Sequence, residues 1–158
     1  WGIENFTLLC ENLIREDDVQ IIINATPNEI TQISPIVNLS SNICVFSGSL
    51  RELLGVINET DLLIGNDSGP APFSVALNVP TIILNGPSTS TFYRDPEVVI
   101  KPNYVFNKDV PCRDLLHTQC FSDLNPDTRL PSCNEMICLK FTVNDVANKA
   151  RDILNFNK

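Results

Sequence analysis

Apolar residues recur along the chain in two alternating periods. From Glu4 to Glu16, Phe6, Leu9 and Leu13, joined by Cys10 and Ile14, fall at helical spacing with Glu and Asn opposite, which predicts an amphipathic helix. Val19-Gln20-Ile21-Ile22-Ile23 is a near-continuous β-branched run and predicts a strand covered on both faces, as in parallel sheets. Thr26-Pro27-Asn28-Glu29 has the form of a capping box with Pro at the first helical position, so a second helix is expected there, weakening at Pro35. The alternation then repeats. Ile43-Cys44-Val45-Phe46 reads as a strand and Ser49-Leu50-Arg51-Glu52 as another capping box. Leu50 to Ile57 follows as a short helix with Leu50, Leu53, Leu54 and Ile57 toward the core. Next come the strand Leu62-Leu63-Ile64, a Gly/Pro-rich turn, a helix over 70–77 and the strand Thr81-Ile82-Ile83-Leu84. Strands alternating with short helices specify an α/β fold with an open, doubly wound parallel sheet.

Past Gly86 the regularity stops. Val98-Val99-Ile100 is the one clear strand, and 102–138 reads as a long loop-rich excursion gathering Pro and Cys, the kind of segment that is usually functional or cross-linked. Thr142-Val143-Asn144-Asp145 then caps a last helix, with Val143, Val146, Ala147, Ala150, Ile153 and Leu154 along one face.

Composition sharpens this picture. The chain has 158 residues, 43% of them apolar, which is the size of one compact domain able to bury its own core. No apolar run approaches the roughly 20 residues that cross a bilayer, and no basic stretch followed by an apolar core opens the chain, so a soluble domain is expected. Eleven Lys and Arg against 19 Asp and Glu give a net charge of −8, with no basic patch. Nucleic acid and anionic membrane surfaces, which need such a patch, are therefore poor partners. A phosphate-bearing small molecule fits better, because backbone amides at a helix start hold an anion without Lys or Arg. The chain begins at Trp1 and enters a helical pattern with no strand before it, so it is expected to be a cut piece of something longer.

In open α/β sheets ligands bind beyond the carboxyl ends of the strands. Two loops fall there. Gly65-Asn66-Asp67-Ser68-Gly69-Pro70-Ala71-Pro72 joins a strand to a helix; its glycines allow a tight turn, the amides from Ser68 to Ala71 face an incoming anion, and the Asp67 carboxylate can accept from hydroxyls. The plainer alternative is that Asp67 or Ser68 merely caps the helix. Asn85-Gly86-Pro87-Ser88 follows the next strand and offers further amides and a hydroxyl at the same edge, or is an ordinary turn. The G-x-G-x-x-G and P-loop patterns are absent, which argues against a dinucleotide dehydrogenase or a P-loop NTPase. Ser68 stands one residue too late for a nucleophile elbow, and the lone His117 lies far from it in the irregular region.

The Asp67-Ser68-Gly69-Pro70 loop, Val75-Ala76-Leu77-Asn78-Val79-Pro80, the strand Thr81 to Leu84 and Gly86-Pro87-Ser88 together resemble the C-terminal, donor-binding domain of glycosyltransferase family 9, the lipopolysaccharide heptosyltransferases. Trp1, the segment from Ser47-Gly48 to Leu54 and the stretch ending in Cys138-Leu139 extend the resemblance over nearly the whole chain. It implies a Rossmann-like sheet forming one half of a GT-B fold, and one nucleotide-sugar-binding domain over 1–158. The N-terminal half, with the acceptor site and the catalytic carboxylate, lies outside these residues. It further implies that Asp67 lies at the donor sugar, that Ser68, Gly69, Pro70 (by its carbonyl and ring only) and Ala71 line the diphosphate, with Gly86 and Ser88 beside them, and that Glu29 lies near the nucleoside. Glu29 is equally explained as the capping-box partner of Thr26. The family usually has His where Pro72 stands, and a basic residue just before Trp1, so contacts from both are lost.

The implied donor is an ADP-sugar or another nucleoside-diphosphate sugar, and the implied acceptor a lipid-linked saccharide reached through the other half. No cofactor is expected. The place is the cytoplasm of a bacterium, with the full-length protein peripheral at the inner face of the membrane. A non-catalytic nucleotide-sugar-binding or assembly module is the alternative, and a structural domain stapled by its Cys-rich loop is a third reading. Cys10 and Cys44 read as small core residues. Cys112, His117, Cys120, Cys133 and Cys138 are of the types that hold Zn²⁺, but their C-x7-C and C-x4-C spacings do not match tight zinc knuckles, and disulfides or free thiols explain them as well. The five N-x-[ST] sequons, at Asn5, Asn24, Asn38, Asn58 and Asn66, are what chance gives among 18 Asn.

Overall fold

The structure, a computed structural model, describes residues 1–86, 103–108, 110 and 136–156. Contacts divide the chain into two compact units, Trp1–Thr60 with Thr142–Lys158, and Asp61–Phe141.

The first unit holds α1 (Ile3–Glu16), β1 (Ile21–Asn24), α2 (Ser34–Val37), β2 (Ile43–Phe46), α3 (Leu50–Asn58) and, from the C-terminus, α5 (Val143–Phe156). β1 and β2 pair in parallel, Ile21 with Ile43 and Ile23 with Val45. Cys10, Ile36 and Ile43 are buried together, with Ile3, Phe6, Ile14, Ile21, Ile23 and Leu39 around them. α1 starts after Gly2, whose φ of 88° is one that only glycine adopts without strain. Trp1 is buried edge-on against Phe6, at 5.1 Å between ring centroids. α5 buries Val146, Ala147, Ala150 and Ile153, the stripe read from its sequence, and Thr142 Oγ1 accepts the Asp145 amide at its start. Arg151 of α5 reaches α1: Nε donates to Asp17 Oδ2 at 2.9 Å and Nη2 to Asn12 Oδ1 at 2.8 Å, with Glu16 Oε2 at 3.0 Å.

Three expectations for this unit are corrected. Only half of the Thr26–Glu29 box forms: the Glu29 carboxylate accepts from the Thr26 amide and hydroxyl, but the Glu29 amide donates to the Thr26 carbonyl, and the chain makes turns and not a helix; the only helix in this stretch is α2, with Pro35 in its first turn. Pro35 lacks the N–H that a helix begun at Pro27 would need and its ring clashes one turn back, so the chain turns until proline falls where helices tolerate it. β1 is not covered on both faces: its burial alternates, Ile22 is 41% exposed, and its register partner Cys44 is exposed too, so Cys44 is not a core residue. Leu50 is 56% exposed at the start of α3, where Ile57 alone is buried.

The second unit holds β3 (Leu63–Asn66), α4 (Pro70–Ala76), β4 (Thr81–Leu84), β5 (Asn103–Phe106) and a 3-10 turn at Ile137–Leu139. Its three strands are parallel in the order β3-β4-β5. Every residue of β4 is buried, as its unbroken apolar run requires of a central strand. Ala71 and Val75 of α4 pack on Ile83, with Val105 of β5 against them. On β5, Tyr104 and Phe106 meet edge-on at 4.8 Å, and Phe141 lies 5.4 Å from Phe106. α4 ends in a Schellman motif. Asn78 takes a left-handed φ of 56°, its amide donates to the Val75 carbonyl, and the Val79 amide donates to that of Ser74. β5 was not expected from sequence, and the expected strand Val98–Ile100 lies outside the described residues.

Among the described residues, no helix is long and apolar enough to cross a membrane.

Candidate functional site

Because β3, β4 and β5 run parallel, they deliver the residue after each strand to one edge: Asp67, Asn85 and Asn107. The ladder extends one step past the strands to hold them there. The Asp67 amide donates to the Leu84 carbonyl at 3.3 Å, and the Asn85 amide to the Phe106 carbonyl at 3.0 Å. Asn85 is completely buried, and its Nδ2 donates to Asn107 Oδ1 at 3.1 Å, so the exits of β4 and β5 are tied side chain to side chain. Asp67 is half-buried, Ser68 and Gly69 are exposed, and Gly86 is buried behind the edge.

The Asp67–Ala71 turn is built differently from the expectation. Gly69 is right-handed (φ −44°, ψ −43°), so its backbone demands no glycine; among the described residues a Cβ there would meet no atom within 4 Å. No side-chain hydrogen bond caps α4, and Ser68 Oγ donates back to the Asn66 carbonyl at 3.3 Å. Of the three amides expected to face an anion, at Ser68, Gly69 and Ala71, one is used within the loop. Pro70 has none, and that of Ala71 donates to the Ser68 carbonyl at 3.0 Å. Pro72 removes another from the first turn. Ser68 and Gly69 remain, with no acceptor for their amides among the described residues.

α4 is tied to β4 by two fully buried hydroxyls. Ser74 Oγ lies 2.8 Å from the Ala71 carbonyl and 2.7 Å from Thr81 Oγ1, which lies 2.8 Å from the Val79 carbonyl. This pair sets the height of the helix start above the edge.

Glu29 belongs to the other unit. Its Oε2 accepts from both the amide and the hydroxyl of Thr26, at 2.8 and 2.7 Å, and these bonds hold its carboxyl below the usual range. Glu52 is held the same way by Ser49. Ser88, Cys112, His117, Cys120 and Cys133 lie outside the described residues, and Cys138 is half-buried on the 3-10 turn. Among the described residues no group of three or more His, Cys, Asp or Glu could hold a metal ion.

The sequence reading passed over Asn107 and Lys108, and gave Asn85 no role of its own. Their signal was a polar pair directly after the alternating Tyr104-Val105-Phe106, the same strand-then-polar step that marks Asp67. Lys108 is exposed, and its Nζ donates to the Lys140 carbonyl at 3.2 Å.

The model of the family described as glycosyltransferase family 9 (heptosyltransferase) matches residues 1–125, a span that takes in the whole Asp67–Ala71 loop and the exits of β4 and β5. The chain belongs to glycosyltransferase family 9. Among solved structures, the glycosyl transferase family 9 protein from Veillonella parvula DSM 2008 superposes with a TM-score of 0.68 at 19% identity, covering 98% of this chain and 41% of that one. That likeness bears out the α/β fold with parallel sheets flanked by helices, Rossmann-like and open. This family 9 chain spans well under half the length of the structure it resembles. No curated protein matches it.

Proposed function

We propose that this chain is the donor-binding part of a glycosyltransferase, and that a nucleoside-diphosphate sugar, an ADP-sugar first among them, lies along the carboxyl edge of β3-β4-β5. The observation that carries the reading is the Asp67–Ala71 loop, set at the exit of β3 beside the buried central strand β4, inside the span that matches family 9. Asp67 accepts hydrogen bonds from the sugar hydroxyls. The Ser68 and Gly69 amides meet the diphosphate, while Pro70, Ala71 and the backbone at Gly86 form the wall behind it. In the full-length enzyme the bond from the anomeric carbon to the phosphate oxygen breaks, and an acceptor hydroxyl oxygen takes that carbon. The hydroxyl proton passes to a base outside this chain, and amides already aimed at the diphosphate stabilise the charge it gains on leaving. A heptose-like sugar and a lipopolysaccharide-type saccharide acceptor complete the proposal.

The test is a thermal-shift screen of this chain with nucleoside diphosphates and their sugars. A ligand at 100 times its dissociation constant adds about 2.7 kcal/mol, which for a chain of this size raises the midpoint by about 5–10 °C. Asp67→Ala is expected to weaken the sugar nucleotide much more than the bare diphosphate. Equal losses would contradict the sugar role of Asp67, and a screen with no hit would sink the donor reading.

One observation favours the alternative of a binding or assembly module without catalysis: Pro70 and Pro72 leave the start of α4 short of donors for a developing charge. Full-length protein that binds the donor and transfers no sugar would select it.

A further inference from the structure

We propose that Asn107 is a contact for the donor sugar: its side-chain amide donates to a hydroxyl oxygen on the side of the ring opposite Asp67. The role rests on the donor reading above and adds to it a residue from another strand.

Register places the two side chains on one face. Leu63, Gly65 and Asp67 alternate in step with Thr81, Ile83 and Asn85, and these in turn with Asn103, Val105 and Asn107. The Asp67 and Asn85 amides continue the ladder through the exits, so the alternation reaches these residues. This is the face that carries α4, since Ile83 is buried with Ala71 and Val75, and Val105 packs against that cluster. Asp67, Asn85 and Asn107 therefore form a row along the carboxyl edge on one side of the sheet. Asn85, in the middle, is fully buried and makes the floor; Asp67 is half-buried and Asn107 exposed. The outer two leave the sheet two strand spacings apart, about 10 Å, and a hydrogen bond of about 2.8 Å at each end leaves about 4 Å between, the width of one sugar ring.

The two ends differ in chemistry. An ionised Asp67 only accepts, so it takes hydroxyl hydrogens. Asn107 spends Oδ1 on the Nδ2 hydrogen of Asn85 at 3.1 Å, and its own amide hydrogens meet no acceptor among the described residues. A hydroxyl can serve both ends, giving its hydrogen to the carboxylate and a lone pair to the amide. Because Asn85 is held in a fully buried site, its bond fixes the Asn107 amide before any ligand arrives, and little order is lost on binding. The row thus selects an uncharged ring with hydroxyls on both flanks.

Calorimetry measures the affinity of this chain for ADP and for an ADP-heptose, or for the diphosphate and sugar nucleotide that the screen ranks first. Asn107→Ala is expected to weaken the sugar nucleotide about fivefold, the scale of one neutral hydrogen bond, and to leave the bare diphosphate at wild-type affinity. Asn107→Ser, which keeps an oxygen near Asn85 but is too short to reach the ring, gives the same pattern. Lys108→Ala, one residue on and on the opposite face, changes neither affinity. Asn107 is exposed, so its variants fold, and urea unfolding checks it. Wild-type affinity for the sugar nucleotide in both Asn107 variants would overturn the role. So would a loss of diphosphate as large as that of the sugar nucleotide, which a loosened edge gives, or an equal loss in Lys108→Ala. In those three cases the donor reading stands. No binding of either compound to the wild type overturns both.

Discussion

The buried hydroxyl pair that ties α4 to β4 has an internal order that mutation can expose. Ser74 and Thr81 are both 0% exposed and carry two hydroxyl protons between them, against three close oxygen contacts: Ser74 to the Ala71 carbonyl, Ser74 to Thr81, and Thr81 to the Val79 carbonyl. One contact is always without a proton. The Ala71 carbonyl sits in the first turn of a helix, where the amide four residues on is offered to it. The Val79 carbonyl lies between helix and strand and has the Thr81 hydroxyl as its partner. The favoured order is then Ser74 to Thr81 to Val79. Thr81→Val keeps the shape but strands the Val79 carbonyl in the core, at a cost of about 1–3 kcal/mol. Ser74→Ala loses one neutral bond while Thr81 still serves Val79, at about 0.5–1.5 kcal/mol. The double variant should fall short of the sum by about 0.5–1 kcal/mol. Equilibrium urea unfolding of the four proteins measures all three quantities. In thermal melts a loss of about 2 kcal/mol appears as a midpoint about 4–8 °C lower. Ser74→Ala costing more than Thr81→Val, or strict additivity, would refute the proton order. Because the Ala71 carbonyl belongs to the proposed donor loop, the same variants report how far that loop depends on the core beneath it.

Two further outcomes are expected. Arg151→Ala should destabilise the chain by about 1–2 kcal/mol in urea unfolding, since the guanidinium joins α5 to Asp17, Glu16 and Asn12 of the first helical segment; Arg151→Lys should recover less than half, because a single ammonium nitrogen cannot take the places of both Nε and Nη2, and full recovery would show that charge alone suffices. Maleimide labelling at pH 8 with peptide mass mapping should modify exposed Cys44 far faster than Cys10, whose burial pushes its thiol from 9.0 up to about 11. The buried neutral thiol of Cys10 contributes stability in full below pH 9, and that contribution is lost as pH rises from there through about 11; a Cys10→Ala chain with the same alkaline decline would show that other groups cause it.

Elements fixed by local chemistry were legible in the sequence. The Ser49–Glu52 box forms with both of its reciprocal hydrogen bonds, β2 and β4 have the predicted bounds, and α5 buries the predicted stripe. Where the reading failed, the missing information was tertiary. Periodicity says which side chains share a face, not what covers that face, so Leu50, Ile22 and Cys44 were assigned to a core that does not reach them. Thr26 and Glu29 illustrate the complementary ambiguity: the Glu29 carboxylate takes the Thr26 amide as at a helix start, yet the same bond serves a turn, and Pro35, nine residues after Thr26, decides between the two. β5 went unseen because four residues of strand carry too little pattern to stand out beside a long irregular stretch; its partner β4 is what makes it a strand.

The candidate site divides along the same line. A sequence can point to Asp67-Ser68-Gly69 as a loop between strand and helix, but counting what that loop can donate requires its hydrogen bonds. Two prolines and one internally used amide leave Ser68 and Gly69. A ligand at this edge then draws on whatever else the sheet brings there, and a parallel sheet brings the exits of all its strands to one side. Residues 67, 85 and 107–108 are spread over 42 positions of the chain, with no spacing rule to join them; the β3-β4-β5 order joins them through one ladder and one Asn–Asn bond. A change at Asn85 should therefore be felt at Asn107 before it is felt at Asp67, since its side chain holds the β5 exit and only its neighbour Leu84 holds the β3 exit.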